Sequence, residues 1–205
     1  MFTHSEIFEK NYNHYCSQLS TIDFTLVKDT LGIDHDGDRL IIPFFNRQYH
    51  VSKNGITDAS GNRPDYVVCV ILAKYILLCP DTMHHDTEWV SFKDFKRTSH
   101  FTNVNYFASD TEQAIETHFT GRLEDLMKAG EKIGGVQNEM NMSYDLGIRF
   151  NALPRISLLL LFNDRDEEFP AKCTVLFQKH AEFYLDPESL GVTGAFLAKS
   201  LKAAG

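Results

Sequence analysis

The sequence predicts an α+β protein in which a hairpin-rich mixed or antiparallel sheet packs against several helices. Three observations lead there. Strand-length apolar runs bounded by turn residues occur at Leu40–Phe45 and Leu158–Phe162. Longer stretches repeat apolar residues at threes and fours over Ser5–Leu19, Asp110–Lys132 and Pro187–Lys202. A third kind of run, Asp65–Cys79, is nearly all apolar, contains Leu, Ala and Lys, and stops at Pro80. The 205 residues fit one domain spanning 1–205, or two interlocked halves meeting near 134–143.

Taken in order, Ile7, Phe8, Tyr12, Tyr15, Cys16 and Leu19 give the opening helix one apolar face. Phe24–Leu31 either extends that helix or forms a short strand, and DHDGD at 34–38 is a polar turn. Leu40 to Phe45, a turn at Asn46 and Arg47, and Tyr49–Ser52 then form a hairpin, with Pro43 arguing against a fully central first strand. Length and the Pro80 stop favour a buried helix over one very long strand for Asp65–Cys79. DTMHHDTEWVSFKDF is a polar connection anchored by Trp89, Val90 and Phe92. Asp110 with Gln113 resembles a capping box for the next helix, which is one helix if Gly121 is tolerated inside it and two if not. Tyr144–Phe150 alternates as a strand. Asp186, Pro187 and Glu188 open the last helix, with Lys199 and Lys202 toward its other end.

The chain also hints at an internal pseudo-repeat. LIIPFFNRQYHVSKNG and ISLLLLFNDRDEEFPAKCTVLFQ are both hairpins leading to a helix, and both place Phe-Asn near the end of their first strand.

Composition excludes several classes. A net charge of −8 disfavours nucleic acid and anionic membrane as partners. The apolar run at Tyr66–Cys79 is short of the ~20 residues of a membrane span and contains Lys74. The opening MFTHSEIFEKNYNHYC carries acids and histidines where a signal peptide has a basic region and an apolar core, so the expected location is the cytoplasm. Cys16, Cys69, Cys79 and Cys173 are too dispersed for a local zinc or iron–sulfur motif and read as buried apolar residues; no stoichiometric zinc or iron is expected. His84 and His85 are adjacent, whereas metal pairs favour His-x-His or helical i,i+4 spacing. His180 reads as a surface or boundary residue. The glycines at 134 and 135 lack the lysine and hydroxyl of a phosphate loop. No Gly-x-Ser-x-Gly, His-Glu-x-x-His or Gly-x-Gly-x-x-Gly sequence occurs, and no cofactor is indicated.

The candidate site is the acidic connection Asp164, Asp166, Glu167 and Glu168 between two apolar runs. It has three readings. The first is a solvated hairpin tip, with Asp164 or Asp166 accepting turn amides and Glu167 paired with Arg165 or Lys172. The second is a recognition site for a cationic partner or for a protein partner with a basic patch. The third is an oxygen-ligand cation site, although the stretch lacks the glycine and distal glutamate of an EF-hand loop. Two functions follow. One is an intracellular binding or accessory protein using the acidic loop; the other is a small-molecule enzyme with a carboxylate-lined pocket between sheet and helices, using an acid of this loop.

Leu153-Pro154, Leu158 to Phe162, Asp164 with Asp166-Glu167-Glu168-Phe169-Pro170-Ala171, Val175-Leu176-Phe177, Tyr184-Leu185 and Glu188-Ser189-Leu190 resemble the C-terminal half of domain of unknown function family 3786. Ile42 to Phe45, Tyr49, the run from Tyr66 and Trp89-Val90-Ser91-Phe92 resemble its N-terminal half. The resemblance implies a small protein of anaerobic bacteria or archaea. It also implies a redox or corrinoid context, because some members are joined to an iron–sulfur module that this chain lacks. It brings no catalytic residues.

Overall fold

The computed structural model describes residues 4–95, 104–138 and 144–205, so residues 139–143 of the expected junction lie outside the described residues. The strands form two sheets, each wholly antiparallel. In the first, β1 (Asp34–Asp36), β2 (Arg39–Phe44), β3 (Arg47–Ser52) and β4 (Gly55–Asp58) run as a meander. Leu40 opposes Val51, Ile42 opposes Tyr49 and Val51 opposes Ile56, so the pleat puts these side chains on one buried face. β1 pairs with β2 only as far as Ile41, so Pro43 lies where no strand needs the donor it lacks.

The second sheet has the order β5 (Trp89–Ser91), β9 (Lys172–Gln178), β8 (Ile156–Asn163), β7 (Leu146–Leu153) and β6 (Val136–Gln137). Central β8 explains its own sequence. Leu158, Leu160 and Phe162 enter the main core, and Leu159 and Leu161 on the other face are buried as well, so an alternating polar pattern would leave one face unsatisfied.

Helices fill the space around the sheets. α1 (His4–Leu19) is pinned by the Tyr12 hydroxyl, which accepts the Ile56 amide at 3.0 Å, and by Phe8 stacked on Tyr66 at 4.2 Å. α2 (Phe24–Leu31) is a separate helix: Asp23 accepts the Thr25 amide at 3.0 Å, and Gly32 at φ 67° ends it in the left-handed conformation. α3 (Tyr66–Leu77) is the apolar run, with Val68, Cys69, Ile71, Leu72, Tyr75 and Ile76 buried. α7 (Pro187–Ala204) begins at Asp186, which caps the Ser189 amide at 2.8 Å and pairs with Lys74 of α3 at 3.1 Å.

The long helical pattern at 110–132 is divided. α4 (Val104–Phe107) continues through a π-helical turn (Ala108–Gln113) into α5 (Ala114–Phe119), and α6 (Leu123–Lys132) follows a break. Asp110 therefore lies within helical chain and does not cap its start, contrary to the capping-box expectation. The break falls at Gly121, whose φ of 73° suits glycine alone, so the two-helix alternative holds. The π-helical turn brings Thr111 against α7 at Gly194, where an added Cβ would lie 2.4 Å from the Phe107 ring and 3.0 Å from the Thr111 hydroxyl.

A polar node joins α2, α3 and the β7–β8 turn. The fully buried Tyr75 hydroxyl donates to Leu31 O at 2.7 Å and accepts the Arg155 amide at 3.2 Å. The Arg155 guanidinium donates to Thr30 O and Asp29 O, each at 3.0 Å, so the exposed carbonyls at the end of α2 find partners from α3 and the β7–β8 turn.

Tyr75→Phe should destabilise the protein by about 1–3 kcal/mol, because the buried Leu31 carbonyl and the half-buried Arg155 amide lose their partner. Combined with Arg155→Met in a double-mutant cycle read by urea unfolding, the two losses should be non-additive, since both substitutions strip the end of α2. Among the described residues the buried Thr111 hydroxyl has no hydrogen-bond partner, so Thr111→Val should raise stability by about 1 kcal/mol with the urea slope unchanged.

Candidate functional site

The acidic residues occupy the connection between β8 and β9 and divide into two pairs. Asp164 Oδ1 accepts the amides of Gly121 at 2.7 Å and Arg165 at 2.8 Å, and its own amide donates to Asp145 Oδ2 at 2.8 Å. Asp166 Oδ1 accepts the amides of Glu168 at 2.8 Å and Phe169 at 2.7 Å, which holds its carboxyl below the ordinary carboxylate range. Both aspartates are thus framework, as the turn-amide reading expects. Glu167 and Glu168 are exposed, and the expected pairing of Glu167 with Arg165 or Lys172 is absent among the ion pairs of the described residues. Phe169 beside them is 65% exposed. Among the described residues, no group of three or more His, Cys, Asp or Glu is arranged to hold a metal ion.

Two other carboxylates perform edge chemistry. β5 covers β9 only at 176–178, and beyond it Glu112 accepts the Val175 amide at 2.9 Å while Glu116 accepts the Cys173 amide at 2.8 Å. Burial pushes the Glu112 pKa up, and Glu116 nearby adds to that. Neither glutamate stands out in the sequence, because Glu at i,i+4 on a helix normally marks a solvated face. Their use here follows from a strand edge left bare at that point.

The histidine-rich connection is a strap held along the 3-10 turn Lys179–Phe183. The Tyr184 hydroxyl accepts the His84 amide at 2.8 Å and donates to His84 O at 2.9 Å, and the His84 ring stacks on Phe183 at 3.9 Å. The Asp86 amide donates to His180 Nδ1 at 3.0 Å. His180 is 4% exposed, so the expected boundary position is corrected: the strap folds over it. All four cysteines carry free thiols; Cys69 and Cys173 are buried, and Cys16 and Cys79 half-buried.

A groove lies between the first sheet, the start of α3 and the C-terminal half of α7. One hollow of about 510 Å³ is lined by Arg47, Tyr49, Asp58, Arg63, Asp65 and Phe196 among others. A second, of about 330 Å³, is lined by Phe45, Arg47, Asp65, Lys132, Phe196 and Lys199 among others. The shared residues Arg47, Asp65 and Phe196 make the hollows adjoin. Residues 164–168 line neither.

Burial lowers the His180 pKa from 6.5, with His85 acting in the same direction and Asp86 against it. The unfolded chain therefore binds more protons between the folded value and 6.5, so stability should be full above pH 6.5 and fall as pH drops through that window. Urea unfolding across this range should show a slope that His180→Gln flattens.

A family model, Domain of unknown function (DUF3786), matches residues 23–200. No curated protein matches the chain, and no solved structure does.

Proposed function

The chain belongs to the Domain of unknown function (DUF3786) family, and we propose that it is an intracellular binding or accessory protein whose acidic hairpin tip recognises a basic patch on a protein partner. One observation carries this: Glu167 and Glu168, without ion-pair partners among the described residues, stand next to the exposed Phe169 on a loop that Asp164 and Asp166 clamp at the backbone. Fixed like charges steer association, and an aromatic ring beside them supplies apolar area to bury once contact is made. Pre-clamping reduces the ordering cost of binding. Four free thiols suit a reducing compartment, and a net charge of −8 favours a basic protein over nucleic acid or anionic lipid. The anaerobic redox or corrinoid setting implied by the family resemblance is compatible with this and supplies no residue of the tip.

The enzyme alternative would draw on the groove, whose carboxylates are Asp58 and Asp65. Asp58 Oδ1 already accepts the Ser60 and Asn62 amides, both at 2.9 Å, which favours ligand binding over proton transfer there.

Glu167→Gln with Glu168→Gln should leave the unfolding midpoint unchanged and reduce recovery of partners from host lysate roughly tenfold at low salt, with the difference shrinking as salt rises. Phe169→Ser should reduce recovery at all salt concentrations. An unchanged partner set with both variants would remove the tip from the function.

A further inference from the structure

We propose that the groove beside α7 is a binding site for a planar aromatic anion, a ligand carrying a carboxylate, sulfonate or phosphate on a flat ring system. This rests on residues separate from the acidic tip and stands whether or not the tip binds a protein.

Charge gives the first argument. The two hollows present four cations, Arg47, Arg63, Lys132 and Lys199, against two carboxylates, Asp58 and Asp65, a balance of +2 on a chain of −8. The cations differ in how far they are committed. Arg63 is held by Glu9, Lys132 donates to Ala204 O at 2.8 Å, and Lys199 lies 3.8 Å from Asp65. Arg47 has no carboxylate partner among the ion pairs of the described residues; it is exposed, donates to the Tyr49 hydroxyl, and borders both hollows. Its guanidinium can give two parallel donors to a carboxylate or phosphate, which an ammonium group cannot do.

The wall gives the second. Phe45 and Phe196 stack with centroids 5.5 Å apart and planes at 30°, and Phe44 meets Phe196 at 4.8 Å. Phe45 and Phe196 are half-buried, so ring surface remains open to the groove. Both hollows fall in the range of about 300–1,000 Å³ typical of small-molecule sites, and apolar walls with a few placed polar groups are their usual lining. A ring system fits the Phe45–Phe196 wall, and an anionic substituent fits Arg47.

The test is fluorescence titration of the full chain with 8-anilinonaphthalene-1-sulfonate, which carries its sulfonate on a flat naphthalene ring, against N-phenyl-1-naphthylamine, the uncharged counterpart. Saturable binding of one equivalent of the sulfonate is expected, with the amine at least about tenfold weaker. Arg47→Gln and Phe196→Leu should each weaken the sulfonate about tenfold, while Glu167→Gln with Glu168→Gln should leave it unchanged. Raising salt until the Debye length falls from about 10 Å to about 3 Å should weaken binding to the unaltered protein, a readout that needs no variant to fold. No saturable binding, equal binding of amine and sulfonate, or indifference to both salt and Arg47→Gln would each overturn the site.

Discussion

The structure depends on satisfying the carbonyls at the end of α2. That short helix passes from exposed Asp29 through half-buried Thr30 to buried Leu31, where an unpaired carbonyl would be costly. Its partners come from two distant stretches of chain: the Tyr75 hydroxyl from α3 and the Arg155 guanidinium from the β7–β8 turn. The same hydroxyl accepts the Arg155 amide, so one atom fixes the first sheet's helices and the second sheet's turn at once. Desolvation pushes the Tyr75 pKa far up, which keeps the phenol protonated and able to donate. A second seam repeats the principle, with the Phe45 amide donating to Ala152 O at 2.8 Å and the Asn46 side chain to Lys132 O at 2.7 Å. Two sheets with no shared ladder thus hold one buried core.

The acidic tip takes its geometry from a distant helix break. Gly121 interrupts α5 and α6, and its freed amide is the donor that Asp164 accepts. The preceding π-helical turn and α5 set Glu112 and Glu116 along the bare edge of β9, the strand that follows the tip. A single helical segment therefore governs both the loop and the edge leading out of it. This leaves the loop backbone determined and the glutamate side chains at its apex exposed.

Much of the fold is legible in local pattern because local terms decide it. Pro80 and the length of the Asp65–Cys79 run settle that stretch as helix, and the unbroken Leu158–Phe162 run signals a strand covered on both faces. What escapes the pattern is set by partners far along the chain. Asp110 and Gln113 have the spacing of a capping box, yet the chain is already helical from Val104. His180 carries no mark of burial, since the strap that covers it lies about ninety residues away. In the acidic stretch, composition marks the cluster of acids but not its division of labour: which acids fold the turn and which face solvent depends on where amides point. The groove is the least legible feature, being assembled from β3, α3, α6 and α7 with no common motif.

Phe45 shows how such a feature is held. Among the described residues, left-handed backbone is otherwise met by glycine, at positions 32, 37, 55, 61, 121 and 134, whereas Phe45 adopts φ 51° with a full aromatic side chain. Glycine would suit that hairpin corner better by local rules, and the strain is about 1–3 kcal/mol. Its ring packs against Phe44, Phe150 and Phe196, and each such contact contributes about 0.5–1.5 kcal/mol beyond area burial, enough to offset the strain. The backbone is therefore kept in an unfavourable region by the ring's placement rather than by the turn's needs. Because the same residue donates its amide to Ala152, the aromatic wall is fixed to both sheets and to α7. A wall fixed in that way presents one geometry to a ligand instead of collapsing to fill the groove.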